Sequence, residues 1–274
     1  MHIENPKLEE AKNPNVSHES ATREISVLLI QLAALVVLLL ALARAFAWAL
    51  GNYLPYSYEQ KWLAPIGSAM VKDSVHDAKL QTLADQLKVH VPLPEGAQIQ
   101  VHTLPEPDIN AFATFGGHIV FMQGLLEHAP SEQAISMVLA HEMAHVGHRD
   151  PLKASSQSAM LQILRSAVFG EQVAVDSGLM LSMLSYSRGQ ETAADEAALD
   201  AIHAHYGSIA GAIEMYDFLG QQRTASSIKN WLPQWLSTHP DTQKRQEHLR
   251  AYAQQKGYST QGSVHVNPWR KIEP

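Results

Sequence analysis

The segment VLAHEMAHVGHRD, residues 138–150, decides how the rest of the chain is read. His141 and His145 stand four positions apart, and Glu142 follows the first directly. Positions i and i+4 share one face of an α-helix, so both imidazoles can be offered to a single cation. Glu142 lies about 100° further round the axis, close enough to reach a water at that cation without ligating it. The surroundings predict such a helix over 131–148. Ser131 between Pro130 and Glu132 is a start signal, Ile135, Val138, Leu139 and Val146 mark a buried stripe, and Asp150-Pro151 stops it.

With 15 histidines in 274 residues, a His-Glu-x-x-His match can arise by chance, so the third ligand decides the matter. A catalytic zinc site takes three protein ligands and leaves a fourth position open. A histidine six residues after His145 is excluded, because Pro151 stands there. His148 reads as a solvated histidine at a helix end, favoured by the dipole. Glu191 is the better candidate. It opens a second predicted helix, 188–205, within SRGQETAAD, and Asp195 follows one turn later on the same face. A carboxylate completing the metal set, with a second accepting the N–H of a ligating histidine, is the expected arrangement around zinc. Taken alone, the two acids would read as a solvated helix face.

Composition removes other classes. Hydrophobic residues make up 46% and charged residues 17%, enough apolar content for a packed core. The net charge of -7 gives no basic footprint, so no nucleic-acid partner is expected. Without cysteine there are no disulfides, thiolate zinc sites or cysteine nucleophiles.

Residues 1–24 are polar and read as a flexible tail. From Ile25 to Ala43, nineteen residues pass without a charge or a breaker, and the apolar character continues beyond Arg44 to Leu50. As a helix, 25–50 would reach about 39 Å, enough to cross a hydrocarbon core of about 30 Å. A cleaved signal peptide is the competing reading, since Ala43-Arg44-Ala45 has the small-x-small form, but the polar leader is long and the apolar run exceeds a usual signal core. Lys7, Lys12 and Arg23 precede the span and Arg44 and Lys61 follow it, leaning towards a cytoplasmic N-terminus with the main domain outside. Beyond it, 58–89 carries helical periodicity. Strands are expected near Ile99–Val101, over 111–114 and over 118–122, the last two joined at Gly116-Gly117. Amphipathic helices are expected between 151 and 185, two more over 208–221 and 240–255, and no obvious fold in the tail 256–274.

Five segments together carry a family resemblance: the preceding apolar span, NAFATFGGHIVFMQGLL (110–126), VLAHEMAHVGHRD (138–150), YSRGQETAADEAAL (186–199) and STHPDTQKR (237–245). The chain resembles the HtpX-like membrane-associated zinc metallopeptidases, the gluzincin group that includes HtpX, BepA, LoiP and the mitochondrial Oma-type proteases. The resemblance covers roughly residues 55–255. It implies an α+β zincin-like domain, mostly helical with a small antiparallel sheet, behind one N-terminal transmembrane helix. One zinc ion per chain would be held by His141, His145 and Glu191, with Glu142 as general base and Asp195 as the orienting acid. The resemblance also places His239 near the cleft, where it could stabilise a developing oxyanion, and 110–122 beside the active site as an edge strand. Arg188 and Arg245 match recurrent positions, where a buried ion pair and a catalytic role are both open. His118 reads as a strand residue beside the site without chemistry.

The implied activity is zinc-dependent hydrolysis of peptide bonds in unfolded or damaged proteins bound in extended form at a membrane. The implied location is single-pass in a bacterial inner membrane, through residues 25–50, with the peptidase domain on the periplasmic side. The alternative is a membrane-tethered polypeptide-binding or chaperone-like protein with a structural zinc. Glu142 argues against it, because a purely structural site has no need of a base.

Overall fold

The structure, a computed structural model, describes residues 20–154, 186–229, 239 and 242–271. Helix α1 (Ala21–Tyr53) contains the apolar run, and within it Thr22–Phe46 is long and apolar enough to cross a membrane. Its large side chains, Leu28, Ile30 and Val37 among them, are exposed, so no protein core accounts for their apolarity. Helix α2 (Tyr56–Met70) follows after a short break.

The periodic stretch 58–89 is two helices, not one. A turn at 71–73 and the short strand β1 (Val75–His76) separate α2 from α3 (Ala78–Leu87). Asp77 starts α3, its carboxylate accepting from the backbone N–H of Lys79 and Leu80 at 2.9 Å each. Leu80, Leu83 and Leu87 are all buried.

Strands β2 (Gln100–Leu104), β3 (Ala111–Ala113) and β4 (His118–Met122) complete a four-stranded sheet in the order β1-β2-β4-β3. The expected antiparallel sheet is in fact mixed, since β4 runs parallel to β2 from Gln100↔His118 to Leu104↔Met122. The chain leaves β2, crosses to the far edge to form β3, and turns back so that β4 fills the gap between them. The Gly-Gly turn does what its sequence indicates. Gly116 and Gly117 have φ of 75° and 84°, and a Cβ at Gly117 would stand 2.0 Å from the Gln98 carbonyl oxygen. That turn fixes β3 against β4. It says nothing about where β2 docks, and the parallel neighbour was therefore invisible locally.

Helix α4 (Gln123–His128) leads to α5 (Glu132–His148), which runs through the middle of the main core. Helices α6 (Arg188–Tyr206) and α7 (Ala210–Lys229) pack against it, and α8 (Thr242–Lys256) packs on those two. Apart from the helical start at 151–154, the helices expected between 151 and 185 fall outside the described residues. The C-terminal stretch is held down more firmly than its polarity suggests. The Asn267 amide donates to the carbonyls of Leu126 and Ala129 at 2.7 and 2.8 Å, and the Glu132 N–H, an orphan of the first turn of α5, donates to His265.

Three histidines meet on the sheet. His102 Nε2 lies 3.0 Å from His118 Nδ1, His118 Nε2 lies 3.1 Å from Ser68 Oγ of α2, and His76 faces His102 across β1–β2. Burial, followed by the neighbouring His118 and His76, pushes His102 down to about 4, and burial lowers His118 as well. A histidine with its folded pKa below the ordinary value of about 6.5 takes up its proton more readily in the unfolded chain. This contribution is therefore complete above about pH 6.5 and is lost as pH falls towards 4. The melting midpoint should drop across that window, and His102→Gln should flatten the drop; an equally steep profile in the variant would show that other groups cause it.

Candidate metal centre

Helix α5 owes its place to its ends and to small residues. Ser131 Oγ accepts from the Ala134 N–H at 3.2 Å, and Arg149 closes the helix in the left-handed conformation at φ 59°. Helix α6 begins with a capping box, Ser187 and Gln190 each bonding to the other's backbone N–H. Ala140 and Ala144 on α5, and Ala194, Ala198 and Ala201 on α6, are fully buried. Such short side chains let the two helix axes come close.

That approach brings His141, His145 and Glu191 together. The two Nε2 atoms are 3.0 Å apart, and Glu191 lies 3.6 Å from the first and 3.5 Å from the second. A tetrahedral ion with ligand bonds of about 2.0–2.1 Å separates its donors by roughly 3.4 Å, so the three atoms fit one divalent cation. His239 joins the same group, its Nδ1 lying 3.3 Å from His141 Nε2 and 2.9 Å from Glu191 Oε1. Its Nε2 faces Glu142 Oε1 at 3.5 Å. All five side chains are buried, and neither Glu142 oxygen has a hydrogen-bond partner among the described residues. His118 is directed into the histidine chain on the sheet, Arg188 is exposed on the first turn of α6, and His148 lies outside the donor group.

Carboxylates support the imidazoles from behind. His141 Nδ1 stands 2.9 Å from Asp195, and His145 Nδ1–H donates to Asp150 Oδ2 at 2.8 Å. Arg245 grips Asp195 with two bonds of 2.6 Å and reaches Glu191 at 2.7 Å, while the Tyr216 hydroxyl also donates to Asp195. Of the two open readings for Arg245, its contacts are those of a buried ion pair.

Burial by itself would raise Glu191, but His239, His145 and Arg245 outweigh it and hold the carboxyl well below its usual range. Asp195 is likewise held down by Arg245 and His141 against burial. Burial also acts against a charge on His145, yet Asp150, Glu191 and Glu142 push it up to about 10. Burial and the nearby His145 lower His141. The donor group thus sits in a field that favours positive charge.

Two neighbours escaped the sequence reading. Asp150 read only as a helix stop, and Tyr186 carried no signal beyond preceding the α6 cap. The Tyr186 ring stacks on His145 with centroids 4.0 Å apart, and it belongs to the small apolar cluster that includes Phe112, Val120 and Met122 of the sheet. A carboxylate just after the second histidine of the motif was the available clue for Asp150.

The profile of peptidase family M48 matches residues 74–253. The chain belongs to peptidase family M48. It is 29% identical over 167 residues to the mitochondrial metalloendopeptidase OMA1 of Bos taurus, a match covering 54% of this chain and 31% of that protein. It is 29% identical over 165 residues to a putative beta-barrel assembly-enhancing protease of Vibrio cholerae, covering 54% and 33%. A protease HtpX homolog of Ralstonia pickettii is 26% identical over 253 residues, covering 77% and 86%. The chain thus spans about a third of the length of the first two relatives and most of the third. Membership of M48 supports protease function, and the matched region contains every donor named above.

In this M48 chain Arg245 offsets buried carboxylates. Removing one partner of such a pair costs about 3–5 kcal/mol. Arg245→Met should destabilise the protein by that order, measured by denaturant unfolding in detergent; a loss below about 1 kcal/mol would contradict the ion-pair assignment.

Proposed function

We propose that this chain is a membrane-anchored zinc endopeptidase with His141, His145 and Glu191 as metal ligands, Glu142 as general base and Asp195 as an orienting acid. The observation that carries the reading is Glu142, a fully buried carboxylate without a hydrogen-bond partner among the described residues, set beside three donors at tetrahedral spacing. A structural site has no use for such a group, and leaving it unsatisfied is costly. The His₂Glu donor set suits zinc. When bound, zinc would supply Lewis acidity, polarising a scissile carbonyl and acidifying a water.

The chain's own residues do the remainder. Glu142 accepts the proton of the attacking water and passes it to the departing amine. His239, beside both Glu142 and the donor atoms, is placed to hydrogen-bond the oxyanion as it forms. Strand β3 has β4 as its one strand neighbour among the described residues, and an extended polypeptide added along it would be held mainly through backbone bonds. That mode tolerates many sequences, which suits unfolded or damaged proteins. Residues 25–50 form the anchor, 55–255 the peptidase domain, and 1–24 and 256–274 the flanking segments. The lean of positive charge puts the domain on the periplasmic side of a bacterial inner membrane.

The second reading, a polypeptide-binding protein with structural zinc, is favoured by one observation. His239 supplies a fourth donor, as in closed structural sites. Two variants separate the readings. Glu142→Gln should retain one zinc per chain and lose casein cleavage by about 10²-fold or more. His239→Ala should retain zinc and lose about 10²–10³-fold in turnover; loss of zinc instead would make His239 a ligand and favour the structural site. Glu191→Ala should release the metal, and full retention by metal analysis would sink the ligand set.

A further inference from the structure

Arg149 is the one non-glycine residue at positive φ among the described residues. A helix ending in the left-handed conformation is better served by glycine, which avoids the Cβ clash. Arginine at φ 59° sets against that clash a side chain that glycine lacks. That side chain turns away from solvent. Its Nε donates to Glu59 Oε2 of α2 at 2.7 Å, its Nη1 donates to the carbonyl of Leu54, and its guanidinium lies 6.0 Å from the Tyr56 ring centre. Leu54 is the first residue after the apolar helix α1. Helix α2 also packs on the turn between β3 and β4, where a Cβ at Gly116 would stand 2.6 Å from Ala64. Both charged partners are buried.

The next residue faces the other way. Asp150 is 1% exposed, and its two oxygens are divided between the metal helices. Oδ2 accepts from His145 Nδ1–H at 2.8 Å, and Oδ1 accepts from Gln190 Nε2 at 2.7 Å. Gln190 is the capping-box residue immediately before Glu191. Asp195, behind His141, is instead shared with Arg245 and Tyr216, which together bond both of its oxygens.

We propose that Arg149 and Asp150 form a positioning elbow that ties the orientation of His145, and so the affinity of the metal centre, to the exit of the apolar helix. Two adjacent residues share one rigid backbone turn, so a shift of α2 that drags the guanidinium rotates the carboxylate holding His145. The same shift presses on the Gly116 turn beside β3, against which α2 packs. The inference rests on His145 being a metal ligand, as proposed above. Asp150 acts through His145 and is a positioning residue, not a catalytic one.

The test measures zinc dissociation constants for the full chain in detergent by competition with a chromophoric chelator, with visible spectra of the cobalt-loaded protein and melting midpoints in parallel. Asp150→Ala should weaken zinc binding by about 10–100-fold and shift the cobalt bands. Glu59→Met with Arg149→Met removes the ion pair without leaving a lone buried charge, and should weaken zinc by about 3–10-fold. The triple variant should bind zinc no more weakly than Asp150→Ala alone, because both changes act through one contact. A double variant with wild-type zinc affinity and unshifted cobalt bands, whatever its melting midpoint, would overturn the elbow, as would losses that multiply in the triple variant. A wild-type chain that holds no metal would overturn the metal-centre reading itself, and the elbow with it.

Discussion

Burying Glu191 between two helices is the constraint from which the rest of the structure can be understood. An ionised carboxylate taken out of water is tolerable only with positive partners and hydrogen-bond donors around it. Glu191 has both: Arg245 at 2.7 Å, the His239 ring at 2.9 Å, and the two Nε2 atoms of α5 at about the separation that a shared ion would impose. Alanines on α5 and α6 allow the approach, the capping box sets where α6 begins, and Tyr186 covers His145 on the side facing the sheet. Each is a local feature whose sense lies in this one burial.

The parts legible in the sequence are those encoded by short periodicities. Residues 141, 142 and 145 declare their faces as soon as a helix is assumed, and Ser131 and Ser187 are cap residues on inspection. The helices over 188–206 and 242–256 fall close to their expected bounds. Glu191 is singled out by what else a two-histidine site requires, which is chemistry more than pattern, and the fold brings it beside both rings. What local reading could not supply is direction and distance. The alternation in 99–122 marks strands, yet nothing in it says that β4 would slip between β2 and β3. Likewise Arg149 and Asp150 look like the polar end of a helix, and their roles appear only when α2 and α6 are in place on either side of them. The tail 256–274 looked structureless because its anchors are polar: one amide, Asn267, satisfies two carbonyls left open at the end of α4.

Tyr186 links the two halves of the domain in a way that bears on extended ligands. One face of β3 and β4, through Phe112, Val120 and Met122, packs with the ring that stacks on His145. The sheet edge at β3 is thus joined to the donor group through one apolar cluster and one stacked ring. Aromatic stacking on the imidazole also excludes solvent from that side, which strengthens the electrostatic interactions of the buried carboxylates.

The charge balance around the donors favours a cation. Asp150, Glu191 and Asp195 are all held below the usual carboxylate range, and Arg245 is the buried guanidinium set against them. Glu142 adds to the same field at His145, so buried carboxylates outnumber the guanidinium beside the imidazoles. A proton on His145 offsets part of that excess, and the ring is pushed up to about 10. A cation at the point where the donors converge would offset more of it than one proton can, and would do so without protonating a ring nitrogen that faces the other donors.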